Sequence, residues 1–312
     1  MLISICIPCY KSAKTLPVVV SSVKEEFEKH PEYDYQFVLV NDGSPDNTFE
    51  VIRELCEEDP KITGVDLSRN YGQASAKLCS LQYAKGDAVV FMDDDGQHPA
   101  SGVFQLVEKL NEGYDAVYAH FKNKKHNAFK KITSGMHNWL SEKMGTKPKG
   151  IHRSSFMAWS RTAVDAVKKY RSPFPSIGGY MMHVTTKYAN VDVEHKERIS
   201  GHSGYTLKKM FGLWLNIFVS FSMVPLRVAT FLGFFLSVFG FIWGLVLVIR
   251  KLFNPGIMAG YTSIIVWIIL IGGIVMIMLG IIGEYLGRIY MTISDMPQYN
   301  IRTILNTEEE NA

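Results

Sequence analysis

Two long stretches of this sequence contain no charged residue: Val228–Ile249 and Tyr261–Gly283. Each reaches the ~20 residues that cross the hydrocarbon of a bilayer. Core helices of soluble proteins rarely run that far uncharged, so both are expected to span a membrane as a helical hairpin, with Arg250–Gly260 as the connecting loop. Cysteine is scarce. Cys6, Cys9, Cys56 and Cys79 lack metal-ligand spacing, since the one Cys-x-x-Cys encloses Pro8 at a strand end, and they are expected to be small buried hydrophobes of a reducing cytosol. The net charge, +3, is too small to argue for a nucleic-acid partner. No basic leader precedes an apolar segment, because Met1–Ile7 enters a strand directly, so no signal peptide is expected. The N-terminal region then stays cytosolic and the hairpin returns the C-terminus to the same side. Lys208, Lys209 and Arg227 before the first span, with Arg288 and Arg302 after the second, outnumber Arg250 and Lys251 between them, in keeping with the positive-inside rule.

What is present is centred on Asp87–Pro99. Ala88–Met92 is an apolar run of the kind that forms a strand buried on both faces, and it ends in Asp93, Asp94 and Asp95. Alternate residues of an extended chain point the same way, so Asp93 and Asp95 are expected to converge while Asp94 faces away. Two carboxylates with the amide oxygen of Gln97 suit Mg²⁺ or Mn²⁺, ions that keep one or two protein carboxylates and fill the remaining positions with water and phosphate oxygens. His98 reads as a surface residue.

Upstream, strands at 2–7, 36–40 and 62–67 alternate with helices at 15–29, 46–58 and 73–84, Pro8 ending the first strand and Asp46 capping the second helix. Short connections between alternating elements predict a parallel sheet with right-handed crossovers, and ligands of such sheets sit beyond the carboxyl ends of the strands. Sequence order therefore gathers Asp42, Arg69, Asn70 and Asp93–Asp95 at one edge. Further on, the pattern predicts a helix at 99–111, a strand at 116–121, a short strand at 155–159, a helix at 161–170, a loop at 172–179 and a strand at 191–198. Lys122, Lys124, Lys125, Lys130 and Lys131 crowd the segment after the 116–121 strand, where a cationic wall could hold phosphates. Tyr205–Met223 is apolar on most of its circumference with Lys208 and Lys209 at its start, which suits a helix lying in the headgroup zone. The expected organisation is an α/β domain over 1–204, an interfacial helix and linker over 205–227, a membrane hairpin over 228–290 and a tail over 291–312, acidic and disordered from Thr307. A metal-binding acid cluster, a basic segment and a membrane hairpin in one chain point to transfer from a nucleotide donor to a lipid-borne acceptor.

Several motifs, in order, sharpen this: Ile7-Pro-Cys-Tyr10, Val40-Asn-Asp-Gly-Ser44, Leu67-Ser-Arg-Asn-Tyr-Gly72, Met92-Asp-Asp-Asp-Gly-Gln-His-Pro99, His195-Lys-Glu-Arg198, Gly201-His-Ser-Gly-Tyr205, Phe221-Ser-Met-Val-Pro-Leu-Arg227 and Gly280-Ile-Ile-Gly-Glu-Tyr-Leu-Gly-Arg288. Through them the chain resembles family 2 glycosyltransferases of the GT-A fold, in the polyprenyl-phosphate group that includes dolichyl-phosphate mannose synthases and bacterial undecaprenyl-phosphate sugar transferases. The resemblance implies a Rossmann-like, mostly parallel sheet and inverting transfer of a sugar from a nucleotide-diphosphate sugar, UDP being favoured, to undecaprenyl phosphate. The setting would be a bacterial inner membrane, with catalytic domain and both termini cytosolic and the protein a homo-oligomer. Pro8, Tyr10, Asp42, Arg69, Asn70 and Asp93 would bind the nucleotide, and Asp93, Asp95 and Gln97 the metal. Asp95 and Arg198 would serve catalysis, while Lys122, Lys124, Lys125, Arg198, Ser203 and Tyr205 would receive the lipid phosphate. The sequence departs from the family pattern at Lys11-Ser12, Asp94, Gly96, Phe121, Ser155-Phe-Met157 and Gly204, which leaves the sugar open. A processive polysaccharide synthase would carry an Arg-Trp acceptor motif, and no Arg-Trp pair occurs. A non-catalytic nucleotide-sugar-binding or assembly subunit would not need Asp93, Asp95 and Gln97 together.

Overall fold

The structure is a computed structural model that describes residues 1–121, 150–194, 224–253, 260–294 and 297–307. The chain divides into two units, Met1–Leu213 with Asp295–Ala312, and Trp214–Ser294. In the first, β1 (Leu2–Cys9), α1 (Leu16–Phe27), β2 (Asp34–Asn41), α2 (Thr48–Glu58), β3 (Ile62–Leu67), α3 (Gln73–Tyr83) and β4 (Ala88–Phe91) alternate. They are followed by α4 (Gly102–Asn111), β5 (Ala116–Phe121), β6 (Met157–Ser160), α5 (Arg161–Val167), α6 (Ile177–Val184) and β7 (Tyr188–Val193), and after the hairpin by β8 (Ile301–Leu305).

One eight-stranded sheet has the order β7-β5-β6-β4-β1-β2-β3-β8. β1 pairs in parallel with β2 and β4, and β2 with β3. β6 lies antiparallel between β4 and β5, which makes those two point the same way, and β7 runs parallel to β5. Six strands therefore present their carboxyl ends at one edge. The central strands are buried over nearly their whole length, as continuous apolar runs dictate. Leu16, Val19, Val20, Val23 and Phe27 form the buried stripe of α1, the residues whose spacing predicts that helix.

The sheet departs from the expected pattern in four places. β1 does not stop at Pro8 but continues to Cys9. Cys6 O accepts from Met92 N–H, so even-numbered residues of β1 face β4, whose pairing ends at Cys6 and Phe91; the missing N–H of Pro8 falls where no strand remains to receive it. The Pro-rich loop gives way to α6, whose first turn is capped by Ser176 Oγ accepting from Gly179 N–H at 3.3 Å. β7 ends at Val193, short of Arg198. Finally, residues 301–305 are not a free tail: β8 closes the sheet edge antiparallel to β3.

The second unit holds α7 (Val224–Phe253) and α8 (Tyr261–Ile293). At 1.5 Å per residue a 30-residue helix is about 45 Å long, more than a bilayer's hydrocarbon. Most of their described large apolar side chains are exposed, Phe241 at 74% and Met276 at 70% among them, a surface suited to lipid and not to water. Residues 224–227 begin α7 and are not linker; the rest of the interfacial segment, 205–223, lies outside the described residues.

Candidate active site

Four loops meet at the carboxyl edge. The loop after β2 turns at Gly43, where φ is +57°. Buried Asp42 accepts from Tyr71 N–H at 2.7 Å and Gly72 N–H at 2.9 Å, one bond to each oxygen, so it fixes the loop after β3. Burial raises the Asp42 carboxyl above its ordinary pKa, and those two amides offset part of the rise. Arg69 and Asn70, exposed at the loop's crest, are left pointing to solvent, with the Arg69 guanidinium 4.8 Å from the Tyr71 ring. The loop after β1 is held by the turn after β4 and by the connection from β2 into α2. Tyr10 N–H donates to Asp94 Oδ2 at 3.0 Å, Lys11 N–H to Ser44 Oγ at 2.7 Å and Ser12 N–H to Thr48 Oγ1 at 3.0 Å. Tyr10 itself is 45% exposed, a ring offered to a planar partner.

β4 ends at Phe91, so the three acids lie in the turn that follows and strict alternation does not govern them. Asp93 accepts from Ser155 Oγ at 2.6 Å and from Gln73 Nε2 at 2.8 Å. Lys77 Nζ lies 3.7 Å from its Oδ1 and donates to Ser155 O at 3.2 Å. Burial pushes the Asp93 carboxyl up, but Lys77, Ser155 and Gln73 pull harder and hold it below the usual range. Burial likewise lowers Lys77, with Asp93 opposing the shift. Asp94 does not face away into solvent. It is the acceptor that fixes Tyr10, and burial raises its carboxyl to about 6, against the pull of the Tyr10 N–H. Asp95 Oδ1 accepts from Gln97 N–H at 3.1 Å.

His98 is 8% exposed and not a surface residue; its ring stacks on Phe156 at 4.7 Å. Asp93 N–H donates to His98 Nδ1 at 3.0 Å. A backbone N–H can only donate, so Nδ1 is the acceptor and the ring proton resides on Nε2, which faces Ser155 Oγ at 3.5 Å. Neither nitrogen then has a lone pair for a cation. Among the described residues no group of three His, Cys, Asp or Glu side chains holds a metal unaided, and all four thiols are buried and unpaired. The donor set at the turn is thus oxygen only, from Asp93, Asp95 and Gln97. That set fits Mg²⁺ or Mn²⁺ shared with a phosphate-bearing ligand, and does not fit zinc.

The sequence pattern marks Ser155 only as a departure from the family and does not mark Gln73 or Lys77. Gln73 and Lys77 are one turn apart on α3, and a lone lysine on an otherwise small, apolar helix face was the available signal. Lys122, Lys124, Lys125, Arg198, Ser203 and Tyr205 lie outside the described residues.

A mostly parallel α/β sheet with carboxylates at its carboxyl edge defines a GT-A-type fold. The family described as Glycosyl transferase family 2 matches residues 4–167, and GtrB C-terminal hairpin matches residues 224–289. The chain belongs to glycosyl transferase family 2. It is 34% identical over 308 residues to the Bacillus subtilis (strain 168) glycosyltransferase YkcC, covering 98% of this chain and 95% of that one. It is 32% identical over 303 residues to the SfII prophage-derived bactoprenol glucosyl transferase of Shigella flexneri, covering 97% and 98%. The undecaprenyl-phosphate 4-deoxy-4-formamido-L-arabinose transferase of Proteus mirabilis is 28% identical over 312 residues, covering 99% and 95%. Among solved structures, the Mycobacterium tuberculosis glucosyl-3-phosphoglycerate synthase in complex with Mn²⁺, UDP and phosphoglyceric acid shares the fold, with a TM-score of 0.51 and 18% identity over 70% of this chain and 76% of that one.

Proposed function

We propose that the chain transfers a sugar from a nucleotide-diphosphate sugar, UDP-linked by preference, to undecaprenyl or a similar polyprenyl phosphate, with inversion, at the cytosolic face of a membrane. One observation carries this reading: the turn after β4 brings Asp93, Asp95 and Gln97 to the carboxyl edge that also holds the Asp42-anchored loop, in a chain with two helices long and apolar enough to cross a membrane. The names of the Shigella and Proteus relatives support the acceptor, and the Mn²⁺ and UDP of the mycobacterial neighbour support the donor and ion.

Asp42 and Tyr10 would frame the nucleoside, Arg69 and Asn70 its ribose and phosphates. Asp95 and Gln97 would hold a Mg²⁺ or Mn²⁺ ion, with Asp93 contributing an oxygen. Bound there, the ion supplies charge stabilisation to the departing diphosphate. Lys77, 3.7 Å from Asp93 Oδ1, would help hold the turn in place for the donor. A lipid phosphate is already anionic near pH 7, so the acceptor does not require a strong general base. Arg198 and the Lys122–Lys125 segment would meet phosphate, and Ser203 and Tyr205 would help place the lipid headgroup.

The test incubates the purified full chain and undecaprenyl phosphate with a panel of nucleotide sugars and Mg²⁺ or Mn²⁺, and weighs the lipid. A mass gain of one sugar with one donor is expected. No gain with any donor overturns the reading.

A further inference from the structure

The segment that follows the hairpin makes contacts that an anchor's tail would not need. β8 runs antiparallel to β3, so its first residues lie at the carboxyl edge, against the loop that carries Arg69 and Asn70. Ser68 N–H donates to Asn300 O at 2.9 Å, and Arg302 Nη2 donates to Ser68 O at 2.9 Å. Both backbone polar groups of Ser68 are thus held by the returning chain. Arg302 Nη1 also lies 3.5 Å from Asp66 Oδ2, and the other oxygen of that buried carboxylate accepts from Asn41 Nδ2 at 2.7 Å.

A β-bulge creates this reach. Thr303 is paired with Asp66 and Ile301 with Leu67, so Arg302 has no opposite number in the ladder. Bulges re-aim the extra side chain and recur beside active sites. On its other flank the same loop rests on Gly43, where an added Cβ would sit 2.3 Å from Arg69 C. The loop is gripped between Gly43 and β8, with Asp42 accepting its amides.

We propose that β8 is part of the donor site, and that Arg302 is a positioning residue that holds Ser68–Gly72 in the shape that receives the nucleotide. The proposal rests on the assignment of Arg69 and Asn70 to the donor.

The full chain in detergent is titrated with UDP, GDP and CDP plus Mn²⁺, as wild type, Arg302→Ala, Arg302→Lys and Thr303→Ala. Thr303 is a fair control, since its side chain makes no hydrogen bond among the described residues. Arg302→Ala is expected to weaken the nucleotide about tenfold, as suits one charge-assisted bond lost from a loop. The KM for donor should rise in parallel, with the KM for lipid phosphate unchanged, and Arg302→Lys should recover part of the loss. Amide exchange at 68–72 should quicken in Arg302→Ala and not in Thr303→Ala. If wild type binds a nucleotide and Arg302→Ala binds it equally well, or Thr303→Ala weakens it as much, the positioning role fails while the donor assignment stands. If wild type binds none of the three, the donor assignment fails and takes this proposal with it.

Discussion

Adjacent Asp93 and Asp94 are shifted in opposite directions, and the reasons are electrostatic. Asp93 is charged because a buried lysine and two hydrogen-bond donors surround it. Removing one partner of a buried pair leaves an uncompensated charge, so Lys77→Met should lower stability by about 3–5 kcal/mol, read as an earlier unfolding midpoint; an unshifted midpoint would discard the pairing. Asp94 is the opposite case. Its folded-state pKa, about 6 against 3.8, means the folded protein binds more protons than the unfolded chain between those values. Stability therefore falls as pH rises through pH 4–6, and the full cost is present above 6. Asparagine can still accept the Tyr10 N–H and carries no charge. Asp94→Asn is thus expected to be the more stable protein at pH 8, by about 1–3 kcal/mol in chelator, with the gap closing by pH 4. A constant gap across that range would contradict the assignment. Asp95→Asn should cut turnover about 100-fold or more while leaving the unfolding midpoint in place. The sequence made Asp93 and Asp95 legible because acids at the end of an apolar strand have few other uses. It hid the fates of Asp94 and His98, since both depend on contacts with Tyr10, Phe156 and Ser155, distant in sequence and near only once the sheet forms.

At the level of elements, apolar periodicity located most strands and helices of the N-terminal unit, and the exceptions share a cause. α6 begins inside Ser172–Gly179, where Pro and Gly signal a loop, and runs on to Val184; packing and the Ser176 cap override that local preference. β8 is short, and nothing near it in sequence announces the edge of β3, 234 residues away as Arg302 reaches Ser68. The loop contacts permit a sharper test. Gly43 and Gly72 both have positive φ, which disfavours any Cβ by about 1–2 kcal/mol, but only Gly43 has backbone within 3 Å of where one would sit. Gly43→Ala should therefore weaken nucleotide binding well beyond Gly72→Ala, which meets nothing within 4 Å. Equal losses from the two would mean that strain alone, and not the seating of the Arg69 loop, sets affinity.

For the molecule as a whole, the order of the chain carries information about topology. β1 and β8 belong to one sheet, yet the hairpin separates them in sequence. A chain that leaves a domain, enters a bilayer and returns to pair with the same sheet must cross an even number of times, and α7 and α8 are each long and apolar enough for one crossing. The even count holds whatever the charge balance of the flanks, which Arg250 and Lys251 dilute. In the proposed orientation, the segment between α7 and α8 faces away from the cytosol and the sheet faces it. The four native cysteines are buried, so a single introduced thiol can be read against a low background. In intact bacterial cells a membrane-impermeant maleimide should label Gly256→Cys and spare Lys14→Cys, and permeabilised cells should show both labelled. Labelling of Lys14→Cys in intact cells would invert the orientation and move the donor site away from cytosolic nucleotide sugars. Labelling of both in intact cells would remove the barrier between them and with it the two crossings.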